Sequence, residues 1–249
     1  MRVSGKEKYV GNTYLNNEGD EFVVLEYNDK YTVLIEFLRT GSTTRATLAN
    51  LRSGGVRDRF KPSIYGVGVI GDELCYKDYV ALPDYVCWKD MLDRVYNQNS
   101  IKVRWYSECV VSDSFKYLSL FRDWAEKQIG FGNEGWQLDK DILFKGNKIY
   151  SEGTCCFVPK EINCLFTKSN RIRGNLPIGV TKCGNKYAAR MNSYGESVYL
   201  GKFITSDKAF FAYKTAKEQH IKEVANKWKD QIDTRVYEAL MKYQVEITD

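Results

Sequence analysis

Ile178-Gly179-Val180-Thr181-Lys182-Cys183-Gly184-Asn185-Lys186-Tyr187-Ala188-Ala189-Arg190-Met191-Asn192-Ser193-Tyr194-Gly195-Glu196-Ser197-Val198-Tyr199-Leu200-Gly201-Lys202 is the stretch whose reading decides the fold. Short alternating runs at 178–182, 186–192 and 197–202 are separated by Gly184-Asn185 and by Tyr194-Gly195-Glu196. Glycine and asparagine adopt the positive φ angles that tight hairpin turns require, so the stretch predicts three antiparallel strands.

Working outward, Thr205 or Ser206 offers a helix N-cap, since a hydroxyl there can accept a backbone N–H that the helix leaves unpaired. Ala209, Phe210, Ala212, Tyr213, Ala216, His220, Ile221, Val224, Ala225 and Trp228 then recur at helical spacing. That stripe needs a partner, and the apolar side of the sheet supplies one. Alternation places Tyr187, Ala189 and Met191 against the helix and turns Ala188, Arg190 and Asn192 outward, with Ser197 and Tyr199 beside them. A closing helix over 233–243, capped by Asp233, turns Val236, Leu240 and Tyr243 inward.

The charge around this stretch is uneven. From Ile162 to Gly195 there is no acidic residue, while Lys168, Arg171, Arg173, Lys182, Lys186 and Arg190 all fall there. A guanidinium and an amide on an exposed sheet can pair with guanine and adenine edges in the major groove. Lys182, Lys186 and Lys202 are placed to hold phosphates, with Arg171 and Arg173 adding to the basic surface. The expected partner is double-stranded DNA.

Upstream, residues 11–61 are rich in β-formers, with strand-like runs at 21–27 and 31–37 around Asn28-Asp29-Lys30. This predicts a small β-barrel or curled sheet without site chemistry, with recognition of a protein partner as its expected task. Gly66-Val67-Gly68-Val69-Ile70-Gly71 matches a dinucleotide-binding pattern but lacks the preceding strand and following helix, so it reads as a Gly-rich linker. Amphipathic helices are expected over 85–96 and 115–124, and 136–164 is compact, irregular and dense in polar groups.

The chain has 249 residues, 43% hydrophobic and 28% charged, with a formal net charge of +5. That is the balance of a globular protein, and its length suits more than one core. No apolar run is long enough to cross a bilayer, and the first residues lack a secretory apolar core. A cytoplasmic location follows, in which the seven cysteines stay as thiols.

Several of these segments carry a resemblance. Gly179-Val180, residues 186–191, residues 199–205 and residues 209–213 resemble the Apetala-two type DNA-binding domain of plant ethylene-response factors and mobile endonucleases. The resemblance implies that the sheet docks in the major groove, with contacts from Thr181, Arg190, Asn192, Ser197 and Tyr199. Thr181, Cys183, Asn192 and Ser197 stand where the plant domains carry arginines, so a GC-rich target is not implied.

Residues 88–96, Leu138-Asp139-Lys140-Asp141-Ile142-Leu143, residues 146–151, residues 156–159 and Ile162-Asn163 are similar to phage-encoded HNH homing-type endonucleases. That likeness implies a ββα element holding one divalent cation, Mg²⁺ or another, against the scissile phosphate. Asp139, Asp141 and Asn163 are the oxygen donors it would use, and Asp139, Lys140 and Asp141 the catalytic candidates. The usual histidine is missing: His220 is the only one in the chain, and it falls on the apolar stripe of the predicted helix. An unperturbed aspartate is a weak base at neutral pH, so Asp139 or Asp141 would need surroundings that raise its pKa. Without catalysis, the same chain would act by occupancy, as a repressor or architectural factor. Cys155, Cys156, Cys164 and Cys183 lack C-x-x-C spacing, which argues against structural zinc.

The chain is therefore expected to be α+β, in three parts. Residues 1–66 form the amino-terminal β module, 67–170 an HNH-like module, and 171–249 the three-stranded sheet with its helix and closing helix.

Overall fold

The computed structural model describes residues 5–166, 176–247 and 249, and the fold is mixed α+β. Two compact units are formed, one from residues 1–107 with 116–121 and the other from 108–115 with 122–249.

The first unit opens with α1 (Gly5–Tyr9) and a four-stranded antiparallel sheet in the order β1 (Thr13–Leu15), β2 (Glu21–Asp29), β3 (Thr32–Phe37), β4 (Thr43–Ala46). Phe22 and Val24 alternate inward on β2, and Val33, Ile35 and Phe37 do so on β3. With α2 (Leu48–Ser53), whose Leu51 is buried, they form one core. Register shifts along β2 after Val24 and Tyr27 mark the bulges that curl such a sheet. The hairpin turn lies at Lys30-Tyr31, at the end of the Asn28-Asp29-Lys30 signal, because Asp29 stays in the strand and its carboxylate accepts the Tyr31 N–H at 2.7 Å.

A small hairpin, β5 (Tyr76–Lys77) with β6 (Val80–Ala81), leads into α3 (Pro83–Tyr96). Trp88, Met91 and Leu92 of α3 are buried. The Gly-rich run is not a linker: Val69 is buried and bridges to Tyr117, and a Cβ on Gly68 would come within 2.5 Å of Leu92 and 2.9 Å of Trp88. Glycine is there so that the backbone can lie against α3. The helix expected over 115–124 is instead a 3₁₀ turn at Ser114–Lys116 followed by α4 (Leu118–Ala125).

In the second unit β7 (Val110–Val111) pairs in parallel with β9 (Ile149–Tyr150). β8 (Trp136–Asp139) pairs antiparallel with β10 (Cys156–Pro159), and α5 (Lys160–Cys164) follows directly. Next come β11 (Val180–Cys183), β12 (Lys186–Ser193) and β13 (Glu196–Phe203), an antiparallel sheet in sequence order, then α6 (Ser206–Trp228) and α7 (Thr234–Lys242). Thr205 caps α6 by accepting the Lys208 N–H, and Asp233 caps α7 by accepting that of Arg235.

α6 has two tasks. Its first turns lay Ala209 and Tyr213 on Val180, Ala189 and Met191 of the sheet. Its later turns place Ile221, Val224 and Ala225 in a core with Ile142, Cys156, Val158 and Ile162, closed by Val236 and Leu240 of α7. Lys227 and the Trp228 indole also reach Glu161 on α5, at 2.7 Å each. With Lys227 half exposed, that ion pair is worth at most about 1 kcal/mol, so the apolar core does most of the holding.

Candidate nucleic-acid interface and metal centre

Strand register decides which side chains share a face of the β11–β13 sheet. Ala189 stands opposite Gly201, yet Arg190 stands opposite Tyr199, so Leu200 is the extra residue of a β-bulge. Simple alternation would put Lys202 and Tyr199 on opposite faces. The bulge turns Leu200 toward the helix and brings Lys202, Tyr199 and Ser197 to one side, across from Ala188, Arg190 and Asn192. Thr181 joins them opposite Ala188, and Lys186 shares their parity. Ala188 is buried, while Thr181, Lys186, Arg190, Asn192, Ser197, Tyr199 and Lys202 are exposed.

Lys182 departs from this grouping. It pairs with Tyr187, which packs on the helix, so it stands on the helix side at the sheet's edge. Arg171 and Arg173 lie outside the described residues.

Two further contacts shape the face. The Arg190 guanidinium lies over the Tyr199 ring, 5.2 Å from its centroid. Asn192 Oδ1 accepts the Gly195 N–H at 3.0 Å across the Tyr194-Gly195 turn, where φ is +53° and +88°. Those angles are those of a type I′ turn, and the asparagine steadies it. A two-point adenine contact would have to share this oxygen through its second lone pair, whereas the amide N–H groups stay outside the turn bond.

The face is backed at one tight point. A Cβ on Gly179 (φ +75°) would come within 2.0 Å of the Tyr213 ring, and the Gly179 carbonyl accepts the Arg190 N–H at 2.8 Å. Tyr213 on α6 and Arg190 on β12 are thereby positioned through one glycine. Sequence reading placed Gly179 in the Apetala-two resemblance but not in this backing role, for which a glycine just before a strand is the available signal.

The second cluster sits at the end of β8. Asp139 Oδ1 accepts the N–H groups of Asp141 and Ile142, each at 2.8 Å, folding the chain into a turn. Burial, aided by the neighbouring Asp141 charge, pushes the Asp139 pKa up to about 6. Lys140 is buried, with Nζ 3.2 Å from Asp141 Oδ2, 3.1 Å from the Asn147 carbonyl and 5.8 Å from the centre of the Tyr150 ring. Asn147 returns the contact through a 2.7 Å bond to the Lys140 carbonyl. These contacts make Lys140 a brace of the loop after β8.

Asn163 on α5 donates to Gln137 Oε1 at 2.6 Å. Gln137 and Asp139 are two residues apart on β8 and so share a side, roughly 7 Å apart along the strand. Among the described residues no group of three or more His, Cys, Asp or Glu is arranged to hold a metal ion. Two carboxylates, Asp139 and Asp141, are near enough to repel, and each keeps an oxygen outside the bonds above. Oxygen donors of this kind suit a hard cation, while the amide of Asn163, the third expected donor, is engaged with Gln137.

His220 is buried, with its ring edge-on to Tyr194 at 5.0 Å and Nδ1 3.9 Å from Glu223. Burial, then the nearby Lys217 charge, lowers its pKa. Cys155 and Cys156 are buried and Cys164 and Cys183 exposed, all as free thiols. No helix among the described residues is long and apolar enough to cross a membrane. No protein-family model matches the chain, and no curated protein or solved structure matches it either.

Proposed function

We propose that the chain is a phage-type, cytoplasmic DNA-binding protein that lays the outward face of the β11–β13 sheet in the major groove. The observation that carries this reading is the bulge at Leu200, which gathers Arg190, Asn192, Ser197, Tyr199 and Lys202 on one exposed face backed by α6. In this reading the sheet is the Apetala-two type module. Arg190 contacts a base edge, Tyr199 steadies its guanidinium, and Lys186 and Lys202 hold phosphates.

We further propose that β8, β10 and α5 are an HNH-type ββα centre and that the protein is a homing-type, metal-dependent DNA endonuclease. Asp139 and Asp141 would hold Mg²⁺ or a similar cation, with Asn163 beside them. When bound, the cation supplies charge for the phosphate and lowers the pKa of water. Asp139 and Asp141 would serve as its ligands, while Lys140 fixes the loop that carries Asp141.

The alternative is a DNA-binding protein acting by occupancy. It is favoured by the bond that ties Asn163 to Gln137 and by the burial of the only histidine on α6. Incubating the full chain with phage and host DNA in Mg²⁺ or Mn²⁺ separates the two. Cleavage that disappears in Asp139→Asn and Asp141→Asn supports the endonuclease; binding without cleavage in either metal leaves occupancy. For the amino-terminal sheet, which bears exposed Leu15, Tyr31 and Leu38, we propose recognition of a protein partner.

A further inference from the structure

Next to the outward face lies a cavity of about 690 Å³, lined among others by Lys160, Asn192, Tyr194, Tyr213, Lys217 and His220. Its size is that of sites that take small organic ligands. The charges around it are unevenly satisfied. Of its lining carboxylates, Glu161 is held by Lys227 and Trp228, and Asp249 by Lys145 at 2.7 Å. Lys217 is partly buried and makes no hydrogen bond or ion pair with the described residues. Burial alone lowers its pKa, the mark of a cation that has lost water without gaining an anion. One turn along α6 stands His220, whose neutral ring offers an N–H donor.

A partly dehydrated ammonium with no partner among the described residues carries a desolvation cost that an incoming anion removes. We propose that this cavity seats a phosphate group beside Lys217 and His220. The phosphate belongs either to the backbone of bound DNA, in which case the proposal rests on the DNA-binding reading, or to a free nucleotide, in which case it does not. Tyr194, exposed at the cavity's edge, gives the ring of a nucleotide an aromatic surface to lie against.

Two measurements on the full chain decide the matter. Thymidine monophosphate and inorganic phosphate are titrated by calorimetry, and binding of a short duplex is followed across salt concentrations. Lys217→Met is compared with the parent, Lys217→Arg serves as the charge-restoring variant, and thermal unfolding checks that each is folded. If the source is DNA, Lys217→Met lowers the salt-dependence slope by about one while Lys217→Arg keeps it. If the source is a free nucleotide, the parent binds the monophosphate and Lys217→Met weakens that binding tenfold or more, with the duplex slope unchanged. Should Lys217→Met unfold early, Lys217→Gln takes its place. Parent-like behaviour of the folded variant in both arms overturns the proposal. A parent that binds no duplex sinks the DNA-binding reading separately, and the nucleotide arm then decides the cavity alone.

Discussion

The Arg190 guanidinium lies 5.2 Å from the centre of the Tyr199 ring, and the two residues face each other across β12 and β13. The pairing exists because one extra residue, Leu200, resets the register between Gly201 and Tyr199. An exposed cation–π contact of this kind is worth about 0.5–1 kcal/mol. In the proposed DNA-binding reading, its larger effect is to hold a flexible arginine in one orientation before docking. Tyr199→Leu should therefore weaken duplex binding through Arg190. In a double-mutant cycle with Arg190→Ala, measured by fluorescence anisotropy, the two losses should be less than additive; full additivity would mean that the ring does not orient the arginine.

The lysines should separate by face. Lys186→Ala and Lys202→Ala should each weaken binding to all sequences and reduce the salt-dependence slope by about one. Lys182 stands on the helix side, opposite Tyr187, so Lys182→Ala should leave that slope nearly unchanged. A Lys182 effect as large as that of Lys186 would mean the sheet docks by its edge.

Asn192 serves the turn as well as the face. Asn192→Asp keeps the oxygen that accepts the Gly195 N–H but adds a negative charge to the face. Thermal unfolding should be close to the parent's while duplex affinity falls. Asn192→Ala loses the turn bond and should cost about 1 kcal/mol of stability, measured by urea unfolding.

Gly179→Ala tests the backing of the face. A methyl group there meets the Tyr213 ring, and φ of +75° strains any residue with a Cβ. A loss above about 2 kcal/mol is expected in urea unfolding. An unchanged midpoint would show that Tyr213 does not lie against this glycine.

The pH dependence of stability follows from Asp139. Its carboxyl binds a proton more tightly folded than unfolded, so the stability it contributes is present in full below its ordinary pKa near 3.8 and is lost as pH rises through about 6. Asp139→Asn keeps the oxygen that accepts the Asp141 and Ile142 N–H groups and removes the titration. Urea unfolding between pH 4 and 8 should show a flatter profile for Asp139→Asn, with a gain at pH 8 of less than about 3 kcal/mol. A profile parallel to the parent's would contradict the burial of this carboxyl.

The three strands, α6, its Thr205 cap and the Asp233 cap were legible because alternation, turn residues and helical spacing are local signals. The Leu200 bulge was not, since one inserted residue changes a face without changing composition. The packing of Gly68 on Trp88 and Leu92 was hidden because a glycine run looks the same in a linker and in a close contact. At the β8 end, the residue types were visible in Asp139, Lys140 and Asp141. Their roles depended on burial and on Asn147, which local pattern does not reveal.

The most direct test of the central claim is the affinity of the parent and of Arg190→Ala for a duplex selected from a random pool, measured by anisotropy at moderate salt. The account predicts that the parent prefers the selected duplex over random duplex. It also predicts that Arg190→Ala, with parent-like thermal unfolding, loses about tenfold in affinity, or roughly 1.4 kcal/mol, and most of that preference. A folded Arg190→Ala that keeps the parent's affinity and preference would contradict it.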